Sequence, residues 1–166
     1  MSETAKCRER LKGYCNGFGL DLGYGGDPIV PWAITFDLPE PYAHKGDHPQ
    51  NLAGDARDLS MFADGVFDFV FSSHLLEDFI ETEEVLREWV RVLKPGGNLI
   101  IYCPDEPTYR HHCRNTGQVH NEAHKIEEFS LSYIRQELQK IKNSIYIVHS
   151  IVLVDDYSFE IVARKR

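Results

Sequence analysis

The chain has 166 residues, 42% of them hydrophobic and 27% charged, the balance of an ordinary globular domain. At this length a single domain, 1–166, is expected, able to bury about two thirds of its unfolded surface without a metal or a disulfide. Lysine and arginine number 18 against 26 acids; the net charge of −8 speaks against nucleic-acid backbones and anionic membrane surfaces as partners, because both are held mainly by lysine and arginine.

The four cysteines, Cys7, Cys15, Cys103 and Cys113, form no C-x-x-C pair. That is the usage of a reducing compartment, so a cytoplasmic location is expected. Residues 1–12 alternate charges without the apolar core of a signal peptide. The most apolar stretch, 145–154, is too short to span a bilayer.

Along the chain, residues 4–11 read as a short polar surface helix within an N-terminal extension, 1–16. Phe18, Leu20 and Leu22 alternate before a glycine cluster, as a strand does before a tight turn. Residues 33–36 form a second short apolar run, and 66–71 a nearly continuous one, the pattern of a strand covered on both faces. Val85, Leu86, Trp89, Val90 and Leu93 share a helical face over 83–93, and Lys94-Pro95-Gly96-Gly97 stops that helix before a strand at 99–103. Residues 104–128 read as one long loop. Leu131, Ile134, Leu138 and Ile141 mark a further amphipathic helix. Two apolar runs, 145–154 and 157–163, flank Asp155-Asp156 as a hairpin. Strands alternating with helices predict an α/β, Rossmann-like, mostly parallel sheet with a C-terminal antiparallel hairpin in a three-layer α/β/α arrangement.

Such sheets bind ligands outside the carboxyl ends of their strands. The first of these loops, Asp21-Leu22-Gly23-Tyr24-Gly25-Gly26, lets the backbone approach a ligand. It is neither the G-x-G-x-x-G dinucleotide fingerprint nor a P-loop, and Asp21 before the glycines would repel phosphates. Asp37 follows the next strand, where a carboxylate can accept from a ribose diol. Asp55, in Gly54-Asp55-Ala56, can accept from an exocyclic amine. Three acids at successive strand ends suit an uncharged adenosine with a positively charged tail, although aspartates also simply cap turns.

The segments GLDLGYGGDP (19–28), TFD (35–37), GDARDLSMFADGVFDFVFSSHLLEDF (54–79) and REWVRVLKPGGNLIIYCPD (87–105) resemble the class I S-adenosylmethionine-dependent methyltransferases, closest to a short-looped branch with a methyltransferase type 11 domain. The resemblance implies S-adenosylmethionine as cofactor. It assigns Asp21 and Gly23 to the methionine end, with Tyr24 and Gly25 of the same loop among the cofactor-binding residues, and Asp37 to the ribose hydroxyls. Asp55 and the Ala56 backbone go to the adenine, and Ser72, Ser73 and His74 to the floor beneath the sulfonium. Three positions depart from the family: Tyr24 replaces its usual cysteine, only residues 26–35 separate the glycine loop from Phe36, and Asp78 stands where histidine is common.

Methyl transfer is an in-line displacement helped mainly by positioning in a dry pocket, with histidine the natural base for a protic acceptor. His74, His120 and His124 are the catalytic candidates, the last two in the 104–128 segment that is expected to form the acceptor site. Cys113, His120 and His124 also fall as C-x6-H-x3-H, a spacing that zinc can use; the paired-cysteine knuckle of structural zinc sites is missing, and no metal is expected. The expected function is methyl transfer to a small-molecule acceptor, by analogy a sugar or glycan precursor. Few residues precede the first strand, which leaves the acceptor side open or completed by a second copy in a homodimer. Rival readings are a non-catalytic S-adenosylmethionine-binding module acting with a partner protein, a nicotinamide-dependent oxidoreductase and a zinc protein.

Overall fold

Seven strands form one sheet in the order β3-β2-β1-β4-β5-β7-β6. The computed structural model describes residues 2–41, 44, 46–153 and 156–166. In chain order the elements are α1 (Glu3–Leu11), β1 (Gly19–Leu22), β2 (Ile34–Asp37), β3 (Leu52–Ala53), β4 (Phe67–Ser73), α2 (Thr82–Val92), β5 (Leu93–Pro104), α3 (Glu106–Thr116), α4 (Leu131–Lys140), β6 (Ile145–Leu153) and β7 (Ser158–Lys165). The strands from β3 to β5 are parallel, and β7 enters antiparallel between β5 and β6. This is the expected mostly parallel sheet with an antiparallel C-terminal pair. Of the expected hairpin turn, Asp155 lies outside the described residues.

Alternation along the central strands builds two cores. Leu99, Ile101 and Cys103 of β5, with Phe159, Ile161 and Ala163 of β7, face α2 and α4 and meet Trp89, Leu86, Ile134 and Leu138. Ile100, Tyr102 and Val162 face the other way, onto Cys7, Leu11 and Cys15. A strand's side chains alternate between faces, so a sheet apolar at every position must be covered on both.

Three expectations change. Residues 4–11 form a helix, but not a free surface one: Thr4, Cys7 and Leu11 are buried against the sheet. Residues 104–128 are not one long loop, since Glu106–Thr116 is helical, capped by the Asp105 side chain and closed by Gly117 at φ 74°. The KPGG turn lies inside β5, which begins at Leu93; the pairing with β4 shifts register between Phe67 and Phe69, and Gly96 absorbs a φ of 82°. Glycine takes that conformation without steric cost.

No helix stands between β1 and β2, between β2 and β3, or between β3 and β4 among the described residues. Side chains of α2 hold the last of these connections in place. Trp89 Nε1 donates to Ala56 O at 2.8 Å, Arg91 donates to the carbonyls of Leu59 and Phe62 at 2.9 Å, and Glu88 accepts from Leu59 N at 3.0 Å. The loop after β3 is thereby fixed where its first residues, Asp55 and Ala56, face the strand ends. Among the described residues no helix is long and apolar enough to cross a membrane.

Candidate functional site

A cleft of two lobes opens at the carboxyl ends of β1, β2 and β4, and the lobes meet at Gly23. The first, about 260 Å³, is lined by Asp37, Asp55, Ala56, Arg57, Leu75, Asp78 and Phe79. The second, about 100 Å³, is lined by Ser2, Glu3, Thr4, Tyr24, Gly25, Ser73 and His74. Gly23 and Gly25 have φ of 66° and 59°. A Cβ on Gly23 would come within 2.9 Å of Leu75 Cδ2, so the glycine both makes the turn and keeps the passage between the lobes open. A larger groove of about 610 Å³ lies between α4 and β6, lined by Arg135, Lys142, Tyr146 and Arg166. It offers no carboxylate or imidazole, and the chemistry-bearing residues are in the cleft.

Asp37 ties β2 to the glycine loop: Oδ2 accepts from Gly25 N at 3.3 Å and Oδ1 from Leu38 N at 2.8 Å. Asp55 is engaged by Arg57, which reaches both carboxylate oxygens at 2.6–3.0 Å and stacks its guanidinium over Phe79. Those hydrogen bonds hold the Asp55 carboxyl below its ordinary range. Asp21 is fully buried beneath the loop and lines neither lobe. Its Oδ2 accepts from Ile29 N at 2.7 Å, while Oδ1 has no hydrogen-bond partner among the described residues. Burial pushes its carboxyl up to about 8, against the Ile29 N–H and the Arg8 charge, which pull it down. Ser72 is also buried, its hydroxyl donating to Leu22 O at 3.1 Å, so it joins β4 to β1 and does not face the cleft. Ser73 Oγ does face it and has no hydrogen-bond partner among the described residues. Tyr24 is buried as a wall of the second lobe, with its hydroxyl donating to His48 O at 2.9 Å.

The three histidines separate. His74 borders the second lobe with a left-handed φ of 51°, its ring 5.2 Å from that of Tyr102 and Nε2 3.4 Å from Glu3 Oε2. Lys6 shares that Glu3 carboxylate at 2.8 Å. His120 and His124 line neither lobe. They converge on the fully buried Glu106 of α3: His120 Nε2 bonds Oε1, His124 Nδ1 bonds Oε2 at 2.8 Å, and Arg110 Nε adds a bond to Oε1 at 2.9 Å. The other ring nitrogen of His124, Nε2, lies 3.7 Å from Oε1 of the buried Glu77. Burial would raise the Glu106 carboxyl, but the two imidazoles and Arg110 hold it below its ordinary range. Burial would lower His124, but Glu106 and Glu77 raise it. Glu77, with no strong donor of its own, is pushed up to about 8 by burial and by the charge of Asp78.

Sequence reasoning missed Glu106, Glu77, Arg57 and Glu3. Nothing in a linear pattern marks a glutamate as buried, and Arg57 two residues after Asp55 was the one signal available, an acid and a base at turn spacing.

The methyltransferase domain family matches residues 35–101, the stretch from β2 into β5 that supplies Asp37, Asp55, Ala56, Ser73 and His74. Together with the strand order, this points to one fold. The chain has the fold of a class I S-adenosylmethionine-dependent methyltransferase. Demethylmenaquinone methyltransferase of Mycolicibacterium paratuberculosis is 48% identical over 50 residues, 30% of this chain and 21% of that protein. The enzyme of the same name from Renibacterium salmoninarum is 43% identical over 58 residues, 35% of this chain and 24% of that protein. The matched segments thus span less than a quarter of these relatives. Over nearly the whole chain the likeness is one of fold. A solved S-adenosylmethionine-dependent methyltransferase of Thermotoga maritima superposes with a TM-score of 0.74 at 19% identity, over 99% of this chain and 88% of that one. The methyltransferase solved in complex with the Trm112 methyltransferase activator of Haloferax volcanii gives 0.70 at 18%, over 98% and 88%.

Proposed function

We propose that the cleft binds S-adenosylmethionine and that the chain transfers its methyl group to a small-molecule acceptor. The observation that carries this reading is the two-lobed cleft itself. Asp37 and Asp55 flank the larger lobe, glycines open the passage, and Ser73 and His74 face the smaller one. An uncharged nucleoside fits the larger lobe and a cationic tail the smaller, where the Glu3 carboxylate is shared with Lys6. The unpartnered Ser73 hydroxyl supports the fit, because a buried polar group without a partner costs about 1–3 kcal/mol and a bound ligand removes that cost.

When bound, the cofactor supplies an electrophilic methyl on a sulfonium; the residues do the rest. Asp37 accepts from the ribose hydroxyls, and its bond to Gly25 N couples ribose recognition to the shape of the glycine loop. Ala56, buried and held through its carbonyl by Trp89, walls the adenine, with Asp55 at the rim. Gly23 and Gly25 let the backbone approach the methionine end, and Asp21 fixes their loop from below through Ile29 N. Ser72 holds β4 to β1 under this end. His74 is the group placed to accept an acceptor's proton, since its ring borders the smaller lobe while His120 and His124 do not. The N-terminus of α1 closes that lobe with Ser2, Glu3 and Thr4.

The acceptor is proposed only as a small molecule; a sugar or glycan precursor remains the class suggested by resemblance. A second reading, a cofactor-binding module that acts with a partner protein, draws support from the Haloferax volcanii neighbour, which was solved with an activator.

Calorimetric titration with S-adenosylmethionine and S-adenosylhomocysteine, with NAD as control, tests the proposal. Micromolar binding of the adenosyl compounds alone is expected, and Asp37→Ala should weaken it by about 1–3 kcal/mol as two hydroxyls lose their acceptor. Unchanged affinity in that variant removes the ribose assignment, and absence of binding removes the cofactor. Binding with no methyl transfer from the isolated chain, restored by a partner, would favour the second reading.

A further inference from the structure

We propose that Glu106, His120 and His124 form a divalent-metal site, separate from the cofactor cleft and suited to zinc. Each residue brings one ligand atom, and the three atoms lie within 4.8 Å of one another. Two imidazoles and a carboxylate are a common protein donor set for zinc, with the fourth position left to water or a substrate. The Cys113, His120, His124 spacing in the sequence is thus replaced in space by a site in which Glu106, not the cysteine, is the third ligand.

The surroundings are those of a metal centre. With His124 Nδ1 turned to the site, its Nε2 lies 3.7 Å from Glu77 Oε1, an oxygen that is also 3.8 Å from His74 Nδ1. A carboxylate behind a ligating histidine fixes the tautomer that leaves the coordinating nitrogen free. Glu77 is 1% exposed, and its Oε2 has no hydrogen-bond partner among the described residues. That buried acid, with one oxygen unpartnered among the described residues, is the independent observation. Glu106 and Asp78 lie beside His124 and favour a cation, and Arg110 is the positive side chain in contact with Glu106. Arg110 and His120 both reach Glu106 Oε1, while Oε2 is bonded to His124 Nδ1, so an ion on Oε2 would replace that hydrogen bond. A cavity of about 400 Å³, lined by Arg110, Cys113, Arg114, Gln118 and His120, opens to solvent beside His120. The ring of Tyr109 packs against both histidines, at 5.4 and 5.2 Å, and limits their movement. The competing state is a histidine–glutamate–histidine chain of hydrogen bonds with no ion.

The test uses the full chain, stripped with a chelator and titrated with zinc against a chromophoric competitor, then with cobalt(II) followed by visible absorption. One equivalent of zinc should bind with micromolar affinity or better, and cobalt should give the intense ligand-field bands of a four- or five-coordinate site. His120→Ala, at a side chain 30% exposed and outside both cores, should fold normally by circular dichroism and bind zinc at least tenfold more weakly. Binding well below one equivalent, octahedral-type weak cobalt bands, or equal affinity in His120→Ala would overturn the site in favour of the hydrogen-bonded chain. None of these readouts depends on methyl transfer, so the site and the enzymatic reading stand or fall separately.

Discussion

At the scale of single residues, the acids that looked alike in sequence have different duties. Asp21 lies one residue before the end of β1, Asp37 ends β2 and Asp55 follows β3, yet only Asp37 and Asp55 face the cleft; Asp21 is sealed beneath it. The sealed carboxyl has a measurable signature. Its folded pKa, raised by burial to about 8, exceeds the ordinary aspartate value of the unfolded chain, so the folded state keeps a proton that the unfolded state releases. Stability contributed by this group is therefore full in acid and is lost as pH rises toward 8, at up to about 1.4 kcal/mol per pH unit. Asp21→Asn keeps the acceptor for Ile29 N and should flatten the fall in unfolding free energy between pH 5.5 and 8 measured by urea titration; an unchanged slope would put the titration elsewhere. Asp55 invites a different test. Its pairing with Arg57 is partly exposed and worth about 0–1 kcal/mol to stability, but it occupies the oxygens that an adenine amine would need. Arg57→Ala should leave the fold intact, keep or improve affinity for S-adenosylmethionine, and sharpen discrimination against an inosine analogue. A tenfold loss of affinity would instead make Arg57 itself a ligand contact.

Among elements, legibility followed the clarity of the apolar stripe. The helix α2 and the strands β4 and β5 carry strong periodic patterns, and their existence and order could be read from the residues. The helix α3 could not, because its buried residues are Glu106, Tyr109 and Cys113, which make no apolar stripe. Its ends were nonetheless written in the chain: Asp105 as cap, Pro107 in the first turn and Gly117 after the last. The Asp105 side chain accepts from Thr108 N and Thr108 Oγ1, so Asp105→Ala should cost about 0.5–2 kcal/mol, read as a lower urea midpoint with unchanged slope. No loss would mean that α3 is held by Glu106 and its histidines and not by its cap. The helix α1 was legible as a helix, but its burial was hidden for a related reason. Thr4, Cys7 and Leu11 lie on one face at helical spacing, but only one of the three is unambiguously apolar, so a helix that packs on the sheet read as a polar surface helix.

For the molecule as a whole, the sheet order and the cleft at its carboxyl edge follow from chain order and strand polarity, whereas the division of the histidines between two places required three dimensions. His74 and His124 both come within 3.8 Å of Glu77 Oε1 in the short turn Leu76–Asp78, yet one borders the cleft and the other bonds Glu106 of α3. The outer edge of the sheet offers the last prediction. The edge strand β6 has the sequence IYIVHSIVL, with no lysine, glutamate or proline. Tyr146, Ile147, Val148, Ile151 and Val152 are each 38–44% exposed. Edge strands are normally protected by charge or proline because their open backbone groups recruit other strands, and this one has neither. The basic side chains nearby, Arg135, Lys142 and Arg166, line the groove between β6 and α4; Arg135 reaches Ser150 and Arg166 lies over the Tyr146 ring, but none belongs to the strand. Replacing Val148 and Ile151 together by lysine removes two partly exposed apolar groups and should cost little stability. It should suppress concentration-dependent association measured by light scattering and sedimentation, with cofactor binding at the distant cleft unaltered. Association of equal strength in the double variant would assign self-contact to another surface, and a large loss of stability would mean that β6 packs more tightly than its exposure indicates.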